Sequence, residues 1–353
     1  MAMRYPRPLL EGDLVGVTAP SSGVPAVLAP RLCFAVEDLR GRGFDVRLGE
    51  CLIDRDEGGP HADVVSAPVA ERAAELQDML CDPAVRAVVP PWGGELAVEV
   101  LPLLDWDALA AAEPTWLVGY SDISALTVAL TTRLGWASIH GPNLMDTPYR
   151  VLAPLASWLD VASAPAGSSL EQGPAHRHRT DGFDDWGADP AVTDRTYDRA
   201  GTWSSLDPGA GPVRARGRLL GGCVETISIL AGTAYGDVPR FAAEHAGGEG
   251  LLLHLEAGGD TATDVARHLW RLRLAGWFDV GSAVLVGRTT APASGGFTQH
   301  DAVRSALAGL DVPVVLDVDC GHTTPQLTLV DGALAEVTVA PGTDLQVLVQ
   351  HLA

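Results

Sequence analysis

The sequence predicts an α/β protein built on a parallel sheet covered on both faces, and three observations carry that prediction. Short apolar runs alternate with helical patterns through the first 145 residues, the rhythm of successive βαβ units. A central stretch from about Ala164 to Pro212 is rich in Gly, Pro, Asp and Arg and has no sustained periodicity. Regular alternation then resumes at Gly217. The 353 residues suit two domains at ~150 residues each, and 47% hydrophobic against 20% charged residues is the balance of a globular protein with ample core.

Leu14–Ala19 reads as the first strand, ended by Pro20-Ser21-Ser22-Gly23. The helical segment after it reaches about Leu39 and is closed by Gly41 and Gly43. Phe44–Leu48 is a second strand, and from Ser66 to Leu80 the residues Val69, Ala73, Leu76 and Leu80 recur at helical spacing. Ala87–Val89 is a third strand, broken by Pro90-Pro91, and Trp116–Tyr120 a fourth, followed at once by a helix from Asp122 to about Leu134. The central stretch carries Trp186, Tyr197 and Trp203, and disordered linkers are poor in aromatics. It therefore reads as an ordered connection that helps shape a site, the alternative being a tether whose aromatics merely pin it down. Beyond it, Cys223–Leu230 is helical, Gly250–Leu255 is a strand, and Thr261–Ala275 is an amphipathic helix with Asp260 as N-cap. Ala283–Val286 and Val312–Val318 are strands, and Leu327–Val330 with Leu334–Val339 reads as a hairpin around Asp331-Gly332.

Composition excludes several functions. The 24 basic and 45 acidic residues leave a net charge of −21, which argues against a broad nucleic-acid surface. No lysine occurs anywhere, so Schiff-base, pyridoxal-phosphate, Ser–Lys and Walker-type lysine chemistry are excluded. The five cysteines are odd in number and form no C-x-x-C pair, so neither a disulfide framework nor a thiolate zinc site is signalled. With no apolar run at the N-terminus and no stretch near ~18 apolar residues, a soluble, cytoplasmic protein is expected, with no membrane partner.

One local pattern stands out. In Trp116-Leu-Val-Gly-Tyr-Ser121-Asp122-Ile an apolar strand runs into Gly119, then Ser121, then a helix. A serine at such a turn is exposed above the sheet beside a helix N-terminus, and the Asp122 N–H is placed to donate to an oxyanion. Alternatively Ser121 simply caps the helix. A serine nucleophile needs a base oriented by an acid. His322 follows Gly321 just after an apolar strand, and Glu256 ends Leu251-Leu-Leu-His-Leu at a strand C-terminus, where open parallel sheets bind ligands. Each alone also reads as an ordinary strand-terminal residue. Gly93-Gly94, after Val89-Pro-Pro-Trp, can turn backbone N–H groups toward an anion or form a plain turn. Asp317, Asp319, Cys320 and His322 cluster in sequence, as do His176 with His178 and His254 with Glu256, but none has a metal-ligand spacing, so no metal is expected.

Taken together these fragments resemble the LD-carboxypeptidase family of serine peptidases, including its microcin C self-immunity branch. The matching pieces are Gly12-Asp-Leu-Val-Gly-Val-Thr-Ala-Pro-Ser-Ser, Gly93-Gly94, Leu101-Pro-Leu-Leu-Asp-Trp, Gly119-Tyr-Ser-Asp-Ile, His140-Gly-Pro, Gly217-Arg-Leu-Leu-Gly-Gly, Leu230-Ala-Gly-Thr, Leu255-Glu and Gly321-His-Thr, in family order. The resemblance implies a Rossmann-like N-terminal domain over 1–145, a connecting segment with a substrate loop over 146–215, and a C-terminal swivelling β/α domain over 216–353. It implies a Ser121–Glu256–His322 triad, an oxyanion hole from Asp122 and Gly93 or Gly94, no cofactor, and a homodimer. The immunity branch hydrolyses the amide between an amino acid or peptide and a nucleotide-like moiety. Its Trp-bearing insertion resembles the segment here, which implies that Trp186 and Trp203 stack on the base. The alternatives are an LD-carboxypeptidase acting on murein peptides and a non-catalytic binder that sequesters aminoacyl nucleotides. Two positions depart from the family pattern: Cys223 stands where many relatives have Asn, and Glu95 where many have Tyr.

Overall fold

The apolar runs of the first half become five short parallel strands: β1 (Leu14–Val17), β2 (Asp45–Leu48), β3 (Val85–Val88), β4 (Trp116–Gly119) and β5 (Ser138–His140). The computed structural model describes residues 2–53, 64–180, 182–207, 209, 211–340, 343 and 345–352. Helices Ala29–Gly41, Val69–Cys81 and Ser124–Leu134 connect or follow these strands, the second of them the helix that the spacing of Val69, Ala73, Leu76 and Leu80 predicts.

Later strands are β6 (Ser169–Gln172), the two-stranded ribbon β7 (Arg177–His178) and β8 (Arg199–Ala200), and β9 (Ser204–Ser205). They are followed by β10 (Val213–Cys223), β11 (Leu251–Glu256), β12 (Gly281–Gly287) and β13 (Val314–Val318). The last three are β14 (Leu329–Asp331), β15 (Leu334–Val339) and β16 (Gln346–His351). Two large sheets result, with orders β14-β5-β4-β3-β1-β2 and β6-β16-β15-β10-β11-β12-β13-β9. In the second, β10 to β13 are parallel, so β10 and β11 end at the same level, with Cys223 opposite Glu256.

Helix Ser124–Leu134 is buried on every side from Ser124 to Thr132 because it lies between the two sheets, packed on β5 on one side and β10 on the other. Leu126 and Leu130 share one apolar core with Leu220, Leu253 and Leu269, so the halves meet through a continuous hydrophobic interior. Among the described residues no helix is long and apolar enough to cross a membrane.

Several local expectations are corrected. Asp331-Gly332 is no hairpin turn: β14 pairs antiparallel with β5 in the first sheet, while β15 pairs antiparallel with β10 in the second. Asp331 is fully buried and lies 2.7 Å from His254 Nε2 on β11, so burial in the gap between sheets overrides the local turn signal. Cys223 is still extended, and the helix expected from it begins at Val224. Thr261, not Asp260, occupies the N-cap of helix Ala262–Leu274, because the Asp260 carboxylate is engaged by His268 Nε2 at 2.9 Å. The central stretch is not a free tether, since β6 and β9 flank opposite edges of the second sheet.

Candidate active site

Ser121 sits where strand gives way to helix. β4 ends at Gly119, Tyr120 is extended, and Ser121 takes φ 61°, a left-handed backbone that a non-glycine residue holds at a cost of about 1–3 kcal/mol. The buried strand on one side and the buried helix on the other impose that conformation, and it lifts the hydroxyl out of the turn. The Asp122 side chain turns away and accepts hydrogen bonds from Ser21 Oγ (2.5 Å) and the Ala97 N–H (2.7 Å). It thereby ties the Ser121 turn to the two loops beside it.

The other two sequence candidates converge on the same point from the second sheet. Glu256 is the last residue of β11 and is 2% exposed. His322 lies in the loop after β13. Its Nδ1 is 2.8 Å from Glu256 Oε2 and its Nε2 is 2.9 Å from Ser121 Oγ. A carboxylate only accepts, so Nδ1–H donates to Glu256 and Nε2 accepts the Ser121 hydroxyl. Gly321 has φ 92°, and a Cβ there would collide with the Glu256 carboxylate; only glycine lets the loop pass so close. Burial lowers the proton affinity of His322, but the charge and hydrogen bond of Glu256, aided by Glu225 and Asp146, outweigh it, so His322 titrates above the ordinary histidine value. Tyr120 braces the imidazole edge-on, with ring centroids 5.2 Å apart.

Gly93 and Gly94 separate in role. A Cβ on Gly93 would lie 2.8 Å from Ser121 Cβ and 3.2 Å from the Asp122 nitrogen, so Gly93 borders Ser121, whereas Gly94 abuts Ser21 and Ser22. A cleft of about 430 Å³ opens above Ser121, lined by Trp92, Tyr120, Asn143, Asp146, Phe183, Trp186 and His322 among others.

The two tryptophans of the insertion part company. Trp186 walls the cleft, its Nε1 donating to the Tyr149 hydroxyl at 2.8 Å and its ring 5.1 Å from the Arg31 guanidinium. Arg31 is fully buried, stacks on Tyr149 as well, and donates to the carbonyls of Met145, Pro190 and Val192. Trp203 is corrected: it is 3% exposed in the core of the second sheet and does not line the cleft. Its Nε1 donates to Asp319 Oδ2 at 2.9 Å, a carboxylate also held by Arg288 and the Ala175 N–H, so the indole is a structural anchor for the loop that carries His322.

Sequence reasoning missed Asn143, Asp146 and Phe183 as cleft residues and did not single out Trp92 or Tyr120 beside the motifs it quoted. Asp146 pairs with Arg195 at 2.6 Å, a contact over 49 residues that no local pattern signals.

Residues 15–141 match the LD-carboxypeptidase N-terminal domain, and residues 216–337 match the LD-carboxypeptidase C-terminal domain. The chain belongs to the LD-carboxypeptidase family. A Streptomyces coelicolor protein that bears a provisional carboxypeptidase name is 34% identical to this family member over 339 residues, 96% of this chain and 94% of the relative. The Escherichia coli microcin C7 self-immunity protein MccF is 24% identical over 328 residues, covering 91% of this chain and 89% of that one. The solved structure of MccF in complex with glutamyl sulfamoyl guanosine shares the fold, with a TM-score of 0.79 at 21% identity over 100% of this chain and 99% of that chain. At the level of the family, this LD-carboxypeptidase homologue is a hydrolase of the carboxypeptidase type.

Proposed function

We propose that this chain is a serine amide hydrolase of the microcin-immunity type, cleaving the amide between an amino acid or peptide and a nucleotide-like moiety. Ser121 Oγ attacks the amide carbonyl while His322 Nε2 takes its proton, and Glu256 holds the imidazole in the required tautomer and stabilises its charge. The oxyanion is met by N–H groups at Asp122 and the Gly93-Gly94 turn. His322 then protonates the leaving amine, and water repeats the sequence on the acyl-enzyme. The observation that carries the substrate class is Trp186, whose ring walls the cleft above Ser121 with Trp92 and Phe183. Such rings stack on a base for ~1–3 kcal/mol each.

The test compares an aminoacyl-sulfamoyl adenosine with a murein tetrapeptide, with products read by mass spectrometry. Trp186→Ala raises KM for the nucleotide substrate ~10-fold and leaves peptide cleavage, which involves no base, nearly unchanged. Turnover of the tetrapeptide alone, or equal impairment of both substrates, gives the site to murein peptides, the activity named for a Pseudomonas aeruginosa relative 27% identical over 72% of this chain.

The pH profile follows from His322. The base must be neutral to accept the serine proton, and a raised pKa keeps it protonated to higher pH. The acid limb of kcat/KM is therefore expected above the ordinary histidine value of 6.5. A limb below that value, or none, would remove His322 as the base.

A further inference from the structure

The level ends of β10 and β11 bring a thiol into the triad. Cys223 Sγ, a carboxylate oxygen of Glu256 and a ring nitrogen of His322 all lie within 4.8 Å of one another, and among the described residues no other group of three such ligands converges as closely. Cys223 is 4% exposed, and its S–H donates to Glu225 Oε2 at 2.9 Å. Independently, Glu256 Oε1, on a side chain 2% exposed, has no hydrogen-bond partner. Hydrolysis as proposed above uses neither the thiol nor that oxygen.

We propose that Cys223, Glu256 and His322 form an inhibitory binding site for a thiophilic divalent cation of the zinc type. Thiolate, imidazole and carboxylate are the donor set that zinc prefers. Zn–S near 2.3 Å and Zn–N near 2.0 Å put tetrahedral ligands roughly 3.3–3.6 Å apart, so donors within 4.8 Å of one another need to close by at most about 1.5 Å. The cation enters along the cleft that His322 lines. It takes an imidazole nitrogen from the Ser121–His322–Glu256 chain, leaving the serine without its base, and the unpartnered Glu256 oxygen offers a ligand already free of competing bonds. The fourth position is left to water or to Glu225. Binding releases the thiol proton to solvent, so affinity rises with pH.

The test uses the full chain with zinc chloride in calorimetry and cadmium chloride in ultraviolet absorption, and neither readout depends on turnover. The wild type should bind one equivalent of zinc and develop a thiolate-to-cadmium charge-transfer band. Cys223→Ser should abolish the band and weaken zinc ~100-fold or more, taking the loss for a direct ligand as at least that for a residue behind one. His322→Ala should weaken zinc as well, which keeps the proposal testable if the serine variant does not fold. Ser121→Ala should keep both signals, so the metal site stands or falls apart from the hydrolase reading. A wild type without stoichiometric binding, or a band unchanged by Cys223→Ser, overturns the proposal.

Discussion

Replacing Ser121 with alanine should lower kcat by about six orders of magnitude, the scale on which a triad fails when its nucleophile is lost. The substitution removes one oxygen whose hydrogen bond is to His322 Nε2 and leaves the turn, the sheet and the aromatic walls in place. Alanine meets the same penalty as serine at φ 61°, so the fold is expected to melt at nearly the wild-type temperature. Substrate should still bind, and calorimetry with an uncleaved aminoacyl nucleotide checks that half. Retention of more than about a tenth of the rate would contradict the role given to Ser121. A protein that merely sequesters its ligand would show no turnover even before substitution.

Glu256→Gln should cost about 10³–10⁴ in kcat while keeping the volume of the site. A carboxylate accepts from Nδ1–H, whereas the amide can present its NH₂ to the same nitrogen and favour the opposite tautomer, which puts a proton on Nε2 facing Ser121. The residual activity should also titrate differently. Burial pulls the His322 pKa down and Glu256 is the main group that pulls it up, so without the charge the acid limb moves to lower pH. Near-normal turnover, or a limb that does not shift, would mean that Glu256 only packs beneath the imidazole.

Much of this site was legible in the sequence because its members end strands or follow them closely. Ser121, Glu256 and His322 each follow an apolar run, and polar residues at such ends carry chemistry or caps. The sequence could not show which of the two, and the resemblance to a known family is what joined them. The larger failures are long-range. Trp203 has the same polar neighbourhood as Trp186, yet its partner Asp319 lies 116 residues away and draws the indole inward. Arg31 carries no expectation from the sequence, and it is fully buried because the insertion supplies aromatic faces and carbonyls to receive it. Asp331-Gly332 has the composition of a tight turn, and only the partner of Asp331 in the other sheet shows that the chain crosses there.

That crossing acts as a stitch. Ser121 rises from one sheet and Glu256 and His322 from the other, so a rigid-body parting of the two would pull these three side chains apart. Such a parting would first have to unzip Leu329, Val330 and Asp331 from His140, Ile139 and Ser138, a seam sewn by the same run of chain that leads on from His322. The approach of Ser121 to His322 and Glu256 is thus held by backbone pairing as well as by side-chain hydrogen bonds.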